Sequence, residues 1–303
     1  VTPFYAESGG QVGDTGAIVC ADFELEVIDT TFALPGLRRH VCRVVRGIPR
    51  AGVQVTARID NDRRARIRKH HTATHVLHWA LRSVLGEHVK QAGSLVEPNR
   101  LRFDFSHFAA VTDDEIAEVE RLANREVLVN VTVQAYETSK DEATAGGAIA
   151  FFGDKYGDTV RVLRAGSSFE LCGGTHVSAT GDIGAIKVVA ESSIGSNLRR
   201  IEAVVGEASV AYMQEQARSV AKVAGLLGSA PEALEDAVRR KLDEMKTVQD
   251  EVKMLRARMA ATRAKEIAES ATGGGVVQRI DGLSPGELRD LAVAVRGVDG
   301  VRA

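Results

Sequence analysis

Two short segments, far apart in the chain, each place two metal-binding side chains four residues apart. His71 and His75 lie in the first segment, HTATH, and Cys172 and His176 lie in the second, CGGTH. On a helix, positions i and i+4 share a face, so His71 and His75 can direct their imidazoles at one ion. If the same ion also takes Cys172 and His176, the fold must bring the two segments together. No other feature of the chain constrains its architecture as strongly.

The chemistry of these donors favours zinc. Zn²⁺ is borderline soft and accepts thiolate and imidazole ligands in a tetrahedral arrangement, and Gly173 and Gly174 suit a tight chelating turn. Alternatively, these residues bind no metal: the histidine spacing arises by chance and Cys172 is an ordinary buried thiol. The zinc-protease pattern does not apply, because it needs a glutamate directly after the first histidine, where Thr72 stands. The sequence predicts one zinc ion, with the ligands His71, His75, Cys172 and His176.

Longer stretches of the chain resemble one family. They are residues 2–11 (TPFYAESGGQ), 13–16 (GDTG), 71–77 (HTATHVL), 88–96 (HVKQAGSLV), 101–107 (LRFDFSH), 147–162 (GAIAFFGDKYGDTVRV), 170–177 (ELCGGTHV) and 199–203 (RRIEA). They occur in the order, and with the approximate gaps, of alanyl-tRNA synthetases, and the resemblance covers roughly residues 1–270. It points to the editing domain of that family and to the segments that follow it.

Two positions depart from the family pattern. His70 stands where the family usually has asparagine directly before its first ligand, so His71 and not His70 is the expected ligand. Residues 194–198 (IGSNL) also differ from the usual sequence before the arginine pair, which affects only the expectation for the local turn.

The resemblance implies a hydrolytic function. A pocket built for alanine cannot strongly reject glycine, since one methyl group is worth about 1–3 kcal/mol, and an added hydroxyl, as in serine, raises a similar difficulty. Editing at a second site supplies the missing discrimination. The implied reaction is hydrolysis of the ester in seryl-tRNA, and in glycyl-tRNA, when the tRNA is the alanine acceptor. Bound zinc could polarise the ester carbonyl, orient the substrate or activate a water, and the sequence leaves these three roles open.

The resemblance also assigns residues to the editing pocket. Gln91 lies in the stretch where the family places a pocket residue, and the expected catalytic residues are Gln91, Cys172 and His176. The expected substrate-binding residues include Gly9, Gly10, Gln11 and Thr72. Gln91 could instead be a surface residue, and the threonines of HTATH could simply pack.

Four protein ligands would close a tetrahedral zinc, whereas catalytic zinc usually keeps one open position. Either one ligand is labile or the coordination expands. Our hypothesis is that His71, His75 and Cys172 bind tightly and that His176 is the more dispensable ligand.

A basic segment precedes the first ligand pair. It contains Arg58, Arg63, Arg64, Arg66, Arg68 and Lys69, against Asp60 and Asp62. A solvated helix face explains such a segment equally well. In the functional interpretation these side chains, together with Arg199 and Arg200, neutralise tRNA phosphates.

Composition limits the class of protein. The chain has 303 residues, 44% hydrophobic and 26% charged, with a net charge of −2, as in a soluble protein of about two domains. Neither a membrane span nor a secretion signal is visible, so the expected location is the cytoplasm. Three cysteines make no disulfide framework, although a pair between Cys20 and Cys42 stays open. The chain starts at Val1, and we expect a piece of a longer polypeptide, whose ATP-dependent aminoacylation domain is not represented.

The expected fold class is α+β. Short strands at 17–20, 23–28, 40–45 and 54–59 suggest a small β-barrel-like subdomain over residues 1–57. A mixed α/β, zinc-bearing editing core should occupy residues 58–205, with helices at 71–85 and 113–128 and strands at 129–136, 159–163 and 185–190.

The remainder is predicted to be helical. Residues 206–271 should form a hairpin whose second helix opens with a capping box at Ser229 and Glu232. Apolar residues at coiled-coil spacing form a seam in that helix: Val238, Leu242, Met245, Val248, Val252, Leu255 and Met259. Residues 273–275 (GGG) read as a flexible joint, and 272–303 as the start of the family's C-terminal domain. Partners implied by the resemblance are the mischarged alanine tRNA and a second copy of the chain, through the hairpin and C-terminal domain.

Two other functions stay open at this point. One is a non-catalytic, zinc-stabilised tRNA-binding module, in which the metal only supports the fold. The other is a free-standing editing protein that acts in trans.

Overall fold

The computed structural model describes residues 1–149, 157–272, 275–299 and 301. The chain divides into two compact units, 1–215 and 216–303. Within these described ranges, helices combine with three antiparallel sheets, as expected of an α+β protein. The division into four segments made from the sequence stays a prediction.

The first sheet is formed by the N-terminal strands. They are β1 (Gly16–Val19), β2 (Glu24–Leu34), β3 (Leu37–Arg46) and β4 (Thr56–Ile59), in the spatial order β3-β2-β1-β4. These strands lie close to the four predicted from alternation and glycine punctuation. Since β3 and β4 are the two edges of the sheet, its closure into a barrel stays a prediction.

Helix α1 (Asn61–Leu85) is the central element of the first unit. Asp60 caps its N-terminus by accepting a hydrogen bond from the backbone N–H of Arg63. Gly86, at φ +113°, ends the helix at the predicted position. All residues at 70–78 are buried, so this stretch is enclosed on every side and not only along one apolar face.

A second sheet supports α1. Its strands are β5 (Gln91–Val96), β6 (Leu101–Ser106), β10 (Ile186–Gly195) and β11 (Leu198–Val205), in the order β10-β11-β6-β5. Helix α2 (Asp113–Val129) begins with a capping box between Thr112 and Glu115. The main core lies between these elements and includes Val76, Leu77, Leu81, Phe103, Phe105, Val119, Ala123 and Ile201. This packing fixes α1 and thereby the histidines on it.

The third sheet carries the second ligand segment. It consists of β7 (Gln134–Ser139), β8 (Thr159–Ala165) and β9 (Ser168–Leu171), with the short helix α3 (Lys140–Ala145) beside it. The strand predicted at 129–136 was placed too early. Asn130 ends α2 in a left-handed conformation, and Val131 and Val133 bond to Thr180 and Ser178 instead of to β8.

The helical region differs from the sequence prediction in how its second helix begins. Helix α4 (Glu207–Leu226) is followed by α5 (Leu234–Glu269) after a short 3₁₀ turn at Pro231–Ala233. The capping box at Ser229 is wrong, because the Ser229 N–H bonds to Ala224 O and so closes the C-terminal turn of α4. Gly228, at φ +63°, makes that turn possible.

Within the second unit, helix α6 (Pro285–Arg296) packs on the end of α5, where Leu291 meets Ala264 and Ile267. The predicted seam of α5 is solvent-exposed along its length, so its coiled-coil pairing stays a prediction. Residues 273 and 274 of the expected joint, and 150–156 of the resemblance, lie outside the described part of the chain. Among the described helices, none combines the length and apolar character that crossing a membrane requires.

Candidate metal centre

Helix α1 and the turn after β9 bring the four predicted ligands together. One donor atom from each of His71, His75, Cys172 and His176 lies within 4.8 Å of the other three. Cys172 Sγ is 3.5 Å from Nε2 of His71 and 3.3 Å from Nε2 of His176. The sequence separation between Cys172 and His71 is 101 residues, so the convergence is a product of the tertiary fold.

The donor spacing suits a tetrahedral ion. Zn–S and Zn–N bonds of about 2.3 and 2.05 Å at the tetrahedral angle separate sulfur and nitrogen by about 3.5 Å. The two sulfur–nitrogen distances given above are close to this value. Nε2 of His75 is buried and makes no hydrogen bond with the described residues, so no described protein group competes with a metal for this nitrogen. The cluster is therefore compatible with zinc.

Each histidine of the cluster is held from behind at Nδ1. His71 Nδ1 contacts Gln11 Oε1 at 2.7 Å, and His176 Nδ1 contacts Thr72 Oγ1 at 3.3 Å. His75 Nδ1 pairs with Glu170, whose other carboxylate oxygen is 2.6 Å from Nδ1 of His78. Such support behind metal ligands fixes the orientation of the imidazole rings.

The turn that carries Cys172 is held by hydrogen bonds to its backbone. Arg161 donates hydrogen bonds to the carbonyl oxygens of Cys172, at 2.9 Å, and of Gly174, at 2.8 Å. The Gly174 N–H lies 3.4 Å from the Cys172 sulfur. Glycine is required at 174, because a Cβ there would lie 2.0 Å from Cε1 of His71. The tight turn expected from the two glycines is thus explained at the second of them.

Electrostatics in the cluster favour a thiolate. Burial alone would raise the pKa of Cys172, but His71, His75 and His176 together hold it well below its usual value. Burial lowers the pKa of His176 to about 3, so that imidazole is neutral. A thiolate and a neutral imidazole are the forms in which these side chains bind metals.

Behind the cluster, the pairing of His75 with Glu170 favours the charged form of both side chains. Burial opposes charge on both His75 and Glu170, yet the attraction between them raises the pKa of His75 to about 10 and lowers that of Glu170 to about 2. Glu170 is therefore ionised beside two histidines. A carboxylate paired with a ligand imidazole increases the basicity of the ligand.

The structure separates the predicted site residues into two groups. Gln11 and Thr72 contact ligand histidines directly, while His70 lies outside the cluster and bonds through Nδ1 to Arg66 O. Gln91 donates to Ser94 Oγ at 3.1 Å. Ser94 in turn packs against the turn at 9–10, since a Cβ on Gly10 would lie 2.2 Å from Ser94 Oγ. The structure therefore joins Gln91 to the glycine turn, and Gln11 follows that turn directly.

The predicted phosphate-binding arginines have carboxylate partners. Arg199 forms a two-pronged pair with Glu191, at 2.5 and 2.6 Å, and Arg200 forms one with Asp104, at 2.7 and 2.9 Å. In the basic segment, Arg64 pairs with the buried Asp14. By contrast, Arg66 and Arg68 are exposed and form no ion pair with the described residues.

Sequence reasoning gave no role to Glu170, although the side chain is buried behind two histidines. One signal was available. Glu170 precedes Cys172 by two residues, and positions i and i+2 of an extended chain face the same side. An acid on the face of a predicted ligand is a candidate partner for ligand histidines.

Comparisons with known proteins agree with the resemblance. The profile described as "Threonyl and Alanyl tRNA synthetase second additional domain" matches residues 160–202, which include Cys172 and His176. The profile "tRNA synthetases class II (A)" matches residues 1–63. Fold, site and profiles together define a part of a class II aminoacyl-tRNA synthetase.

Similar proteins narrow this class. The chain is 49% identical over 273 residues to the alanine–tRNA ligase of Pelotomaculum thermopropionicum and 46% identical over 270 residues to that of Bordetella avium, each match covering 89% of this chain and 31% of the relative. The ligase of Xanthomonas campestris pv. campestris is 44% identical over 294 residues, covering 95% of this chain and 33% of the relative. The chain belongs to the alanyl-tRNA synthetase family and spans about a third of the length of these relatives.

Proposed function

We propose that this chain is the editing part of an alanine–tRNA ligase and that, with one bound zinc ion, it hydrolyses seryl- and glycyl-tRNA of the alanine acceptor. The observation that carries the proposal is the convergence of His71, His75, Cys172 and His176 at donor spacings that suit zinc. Two of these residues lie in the segment matched by the second additional domain. The proposed location of the activity is the cytoplasm.

Different residues of the chain would have different roles in the reaction. When bound, zinc supplies a Lewis acid that can polarise an ester carbonyl or lower the pKa of a water. The buried His71 and His75 would hold it together with the partly buried Cys172 and His176, and His176 is proposed to be the more dispensable ligand. Gln91 is proposed to orient the attacking water or the substrate through its amide. The Gly9–Gln11 turn would line the pocket.

Gln11 has a hydrogen-bond donor to spare. Its Oε1 is occupied by His71 and Thr175, but its Nε2 is buried and makes no hydrogen bond with the described residues. An unsatisfied buried donor costs about 1–3 kcal/mol, which an oxygen of the substrate could recover. This supports the assignment of Gln11 to the substrate pocket.

The tRNA is the proposed partner. Arg66 and Arg68 are exposed on the turn of α1 before the ligand histidines, where phosphates can reach them. Arg199 and Arg200 are also proposed to contact the tRNA, and a phosphate would there share each guanidinium with its carboxylate partner. Self-association through the hairpin and the C-terminal segment remains part of the proposal, supported by the exposed apolar seam of α5.

The test is hydrolysis of seryl-tRNA of the alanine acceptor by the chain and by Cys172→Ala, with zinc content measured on both. Cys42→Ala is the matched control, because Cys42 is a free cysteine outside the cluster. We expect deacylation and metal to be lost together in Cys172→Ala and kept in Cys42→Ala.

A second function competes with this one. Four converging protein ligands are typical of structural zinc, so the chain would then be a zinc-stabilised tRNA-binding module. Binding of tRNA without hydrolysis, by the intact and zinc-loaded chain, would favour that function. The third candidate, editing in trans, predicts full hydrolysis by this chain alone and no increase when the rest of a ligase is added.

A further inference from the structure

We infer that Gln11 and Thr72 are positioning residues that select a single imidazole tautomer, with the proton on Nδ1, in His71 and His176, and that Glu170 is a positioning residue that orients the ring of His75. Neutral histidine carries its proton on either nitrogen, and only the bare nitrogen can bind a metal. The inference deepens the proposed zinc function, on which its purpose rests. Its evidence is the direction of the hydrogen bonds around the cluster.

His71 is fixed through Gln11. The backbone N–H of Thr175 can only donate, and it bonds to Oε1 of Gln11 at 2.9 Å. This contact determines which end of the Gln11 amide is the oxygen. Since the same oxygen lies 2.7 Å from Nδ1 of His71, that nitrogen must donate and carry the proton. In the neutral imidazole, Nε2 of His71 is then the nitrogen without a proton, and it lies 3.5 Å from the Cys172 sulfur.

His176 is fixed through Thr72. The Thr72 hydroxyl has one proton, which it donates to the carbonyl oxygen of Arg68 at 2.9 Å. Its oxygen can therefore only accept from its other neighbours, the N–H of Val177 at 3.2 Å and Nδ1 of His176 at 3.3 Å. Nδ1 of His176 carries the proton, and the bare Nε2 faces the Cys172 sulfur at 3.3 Å.

His75 is fixed through Glu170. One carboxylate oxygen of Glu170 contacts Nδ1 of His75, and the other contacts Nδ1 of His78. These contacts fix the orientation of the His75 ring through its Nδ1 side. Its Nε2 is the atom that is buried without a hydrogen bond to the described residues.

The three positioning residues come from three different parts of the first unit. Gln11 precedes β1, Thr72 lies on α1, and Glu170 lies on β9. All three contact a histidine at Nδ1, so the supports and a metal bound at Nε2 would use different nitrogens of each ring. Residues that support metal ligands in this way typically account for a 10- to 100-fold difference in metal affinity.

The test compares Thr72→Val with Thr72→Ser and with a matched control, Thr74→Val. Thr74 is buried on the same helix, but its hydroxyl donates only to His70 O. Long-range ¹H–¹⁵N NMR of the metal-free chain reads the tautomer of each histidine. We expect the Nδ1–H form for His71 and His176 in the wild type, and loss of that form for His176 in Thr72→Val alone.

Zinc affinity, measured by competition with a chelator, is the second readout. Thr72→Val should bind zinc 10- to 100-fold more weakly, and Thr72→Ser and Thr74→Val should stay close to the wild type. The same comparison applies to Gln11→Met against Gln11→Glu, which keeps an acceptor oxygen. Thermal unfolding of each metal-free variant identifies any that fail to fold.

The Nε2–H form at His71 or His176 in the wild-type chain would overturn the inference, as would equal zinc affinity in Thr72→Val and Thr74→Val. Failure of the proposed function gives a different result. If the intact chain binds zinc with the expected tautomers but does not hydrolyse seryl-tRNA, the positioning role stands and the editing function falls.

Discussion

Gly174 and His71 pack so closely that no methyl group fits between them: a Cβ on Gly174 would lie 2.0 Å from Cε1 and 2.4 Å from Nδ1 of His71. The backbone of the cysteine turn therefore presses against the first ligand histidine. The same turn is tied to Gln11 by the Thr175 N–H. The position of the ligand and the shape of the turn depend on each other.

Gly174→Ala should accordingly lose zinc and stability. Overpacking of this kind costs about 1–3 kcal/mol. Gly173→Ala is the matched control, because a Cβ at 173 meets nothing within 4 Å. Urea unfolding and zinc content check the prediction, and equal behaviour of the two variants would show that the turn moves away freely.

The four ligands should differ in how much metal depends on them. His75 is buried and anchored by Glu170, whereas His176 is less buried and its Nδ1 has only the 3.3 Å contact with Thr72. We expect His71→Ala, His75→Ala and Cys172→Ala to lose zinc, and His176→Ala to keep it with reduced affinity. The zinc content of each variant after dialysis tests this expectation. Complete loss of zinc in His176→Ala would contradict the hypothesis that His176 is the more dispensable ligand.

The N-terminal segment depends on a buried ion pair. Asp14 accepts from Arg64 and from the backbone N–H of Tyr5, and its side chain is 2% exposed. Arg64→Met leaves this carboxylate buried without its cation, which costs about 3–5 kcal/mol. Arg66→Met, an exposed position on the same helix, should change the free energy of unfolding by less than about 0.5 kcal/mol. Chemical denaturation of both variants measures the difference.

The exposed arginines of α1 should account for part of the salt dependence of tRNA binding. Removal of one phosphate contact lowers the slope of log K against log salt by about 1. Arg68→Ala should show this change, and Arg121→Ala should not, because Arg121 is exposed on α2 and already pairs with Glu118. Titrations at several salt concentrations would refute the assignment if the two slopes agree.

The capping box of α2 should give stability that depends on pH. Hydrogen bonds from the backbone and side chain of Thr112 lower the pKa of Glu115 below its ordinary value of 4.5. The ionised form thus stabilises the fold above that value, and the effect disappears as pH falls through the lowered pKa. Glu115→Gln keeps the hydrogen bonds without the charge.

Near neutral pH, wild type should exceed Glu115→Gln by a few tenths of a kcal/mol in the free energy of unfolding, since the group is exposed and screened. The difference should narrow below pH 4.5. If the free energies of unfolding of the wild type and Glu115→Gln differ by the same amount at every pH from 7 down to 3, the charge of Glu115 makes no contribution.

The metal cluster was predictable because its information is local. The residue types and their spacing predict the metal ligands without knowledge of the fold: His71 and His75 lie one helical turn apart, and Cys172 and His176 flank two glycines. Helix α1 and the first sheet were predictable for the same reason, since apolar periodicity and glycine punctuation act over a few residues. The resemblance then gave the context in which Gln11 and Thr72 became candidates.

What sequence reasoning missed depends on tertiary contacts. The partners of Arg199 and Arg200 come from a neighbouring strand or from across a hairpin, and strand register cannot be read from composition. Ser229 has the residue pattern of a helix N-cap, yet the preceding helix uses it for its own C-terminal turn. Both outcomes depend on which neighbouring element a polar group contacts in the folded chain.

The 101-residue separation of His71 and Cys172 has a thermodynamic consequence. An ion bound by both closes a loop of that length, and closure in the unfolded chain would carry a large entropic cost. Zinc should therefore bind the folded unit almost exclusively. Once the site is near saturation, each tenfold fall in free zinc lowers the stability of this unit by about 1.4 kcal/mol. The free energy of unfolding of this unit then becomes a measure of how much zinc its surroundings supply.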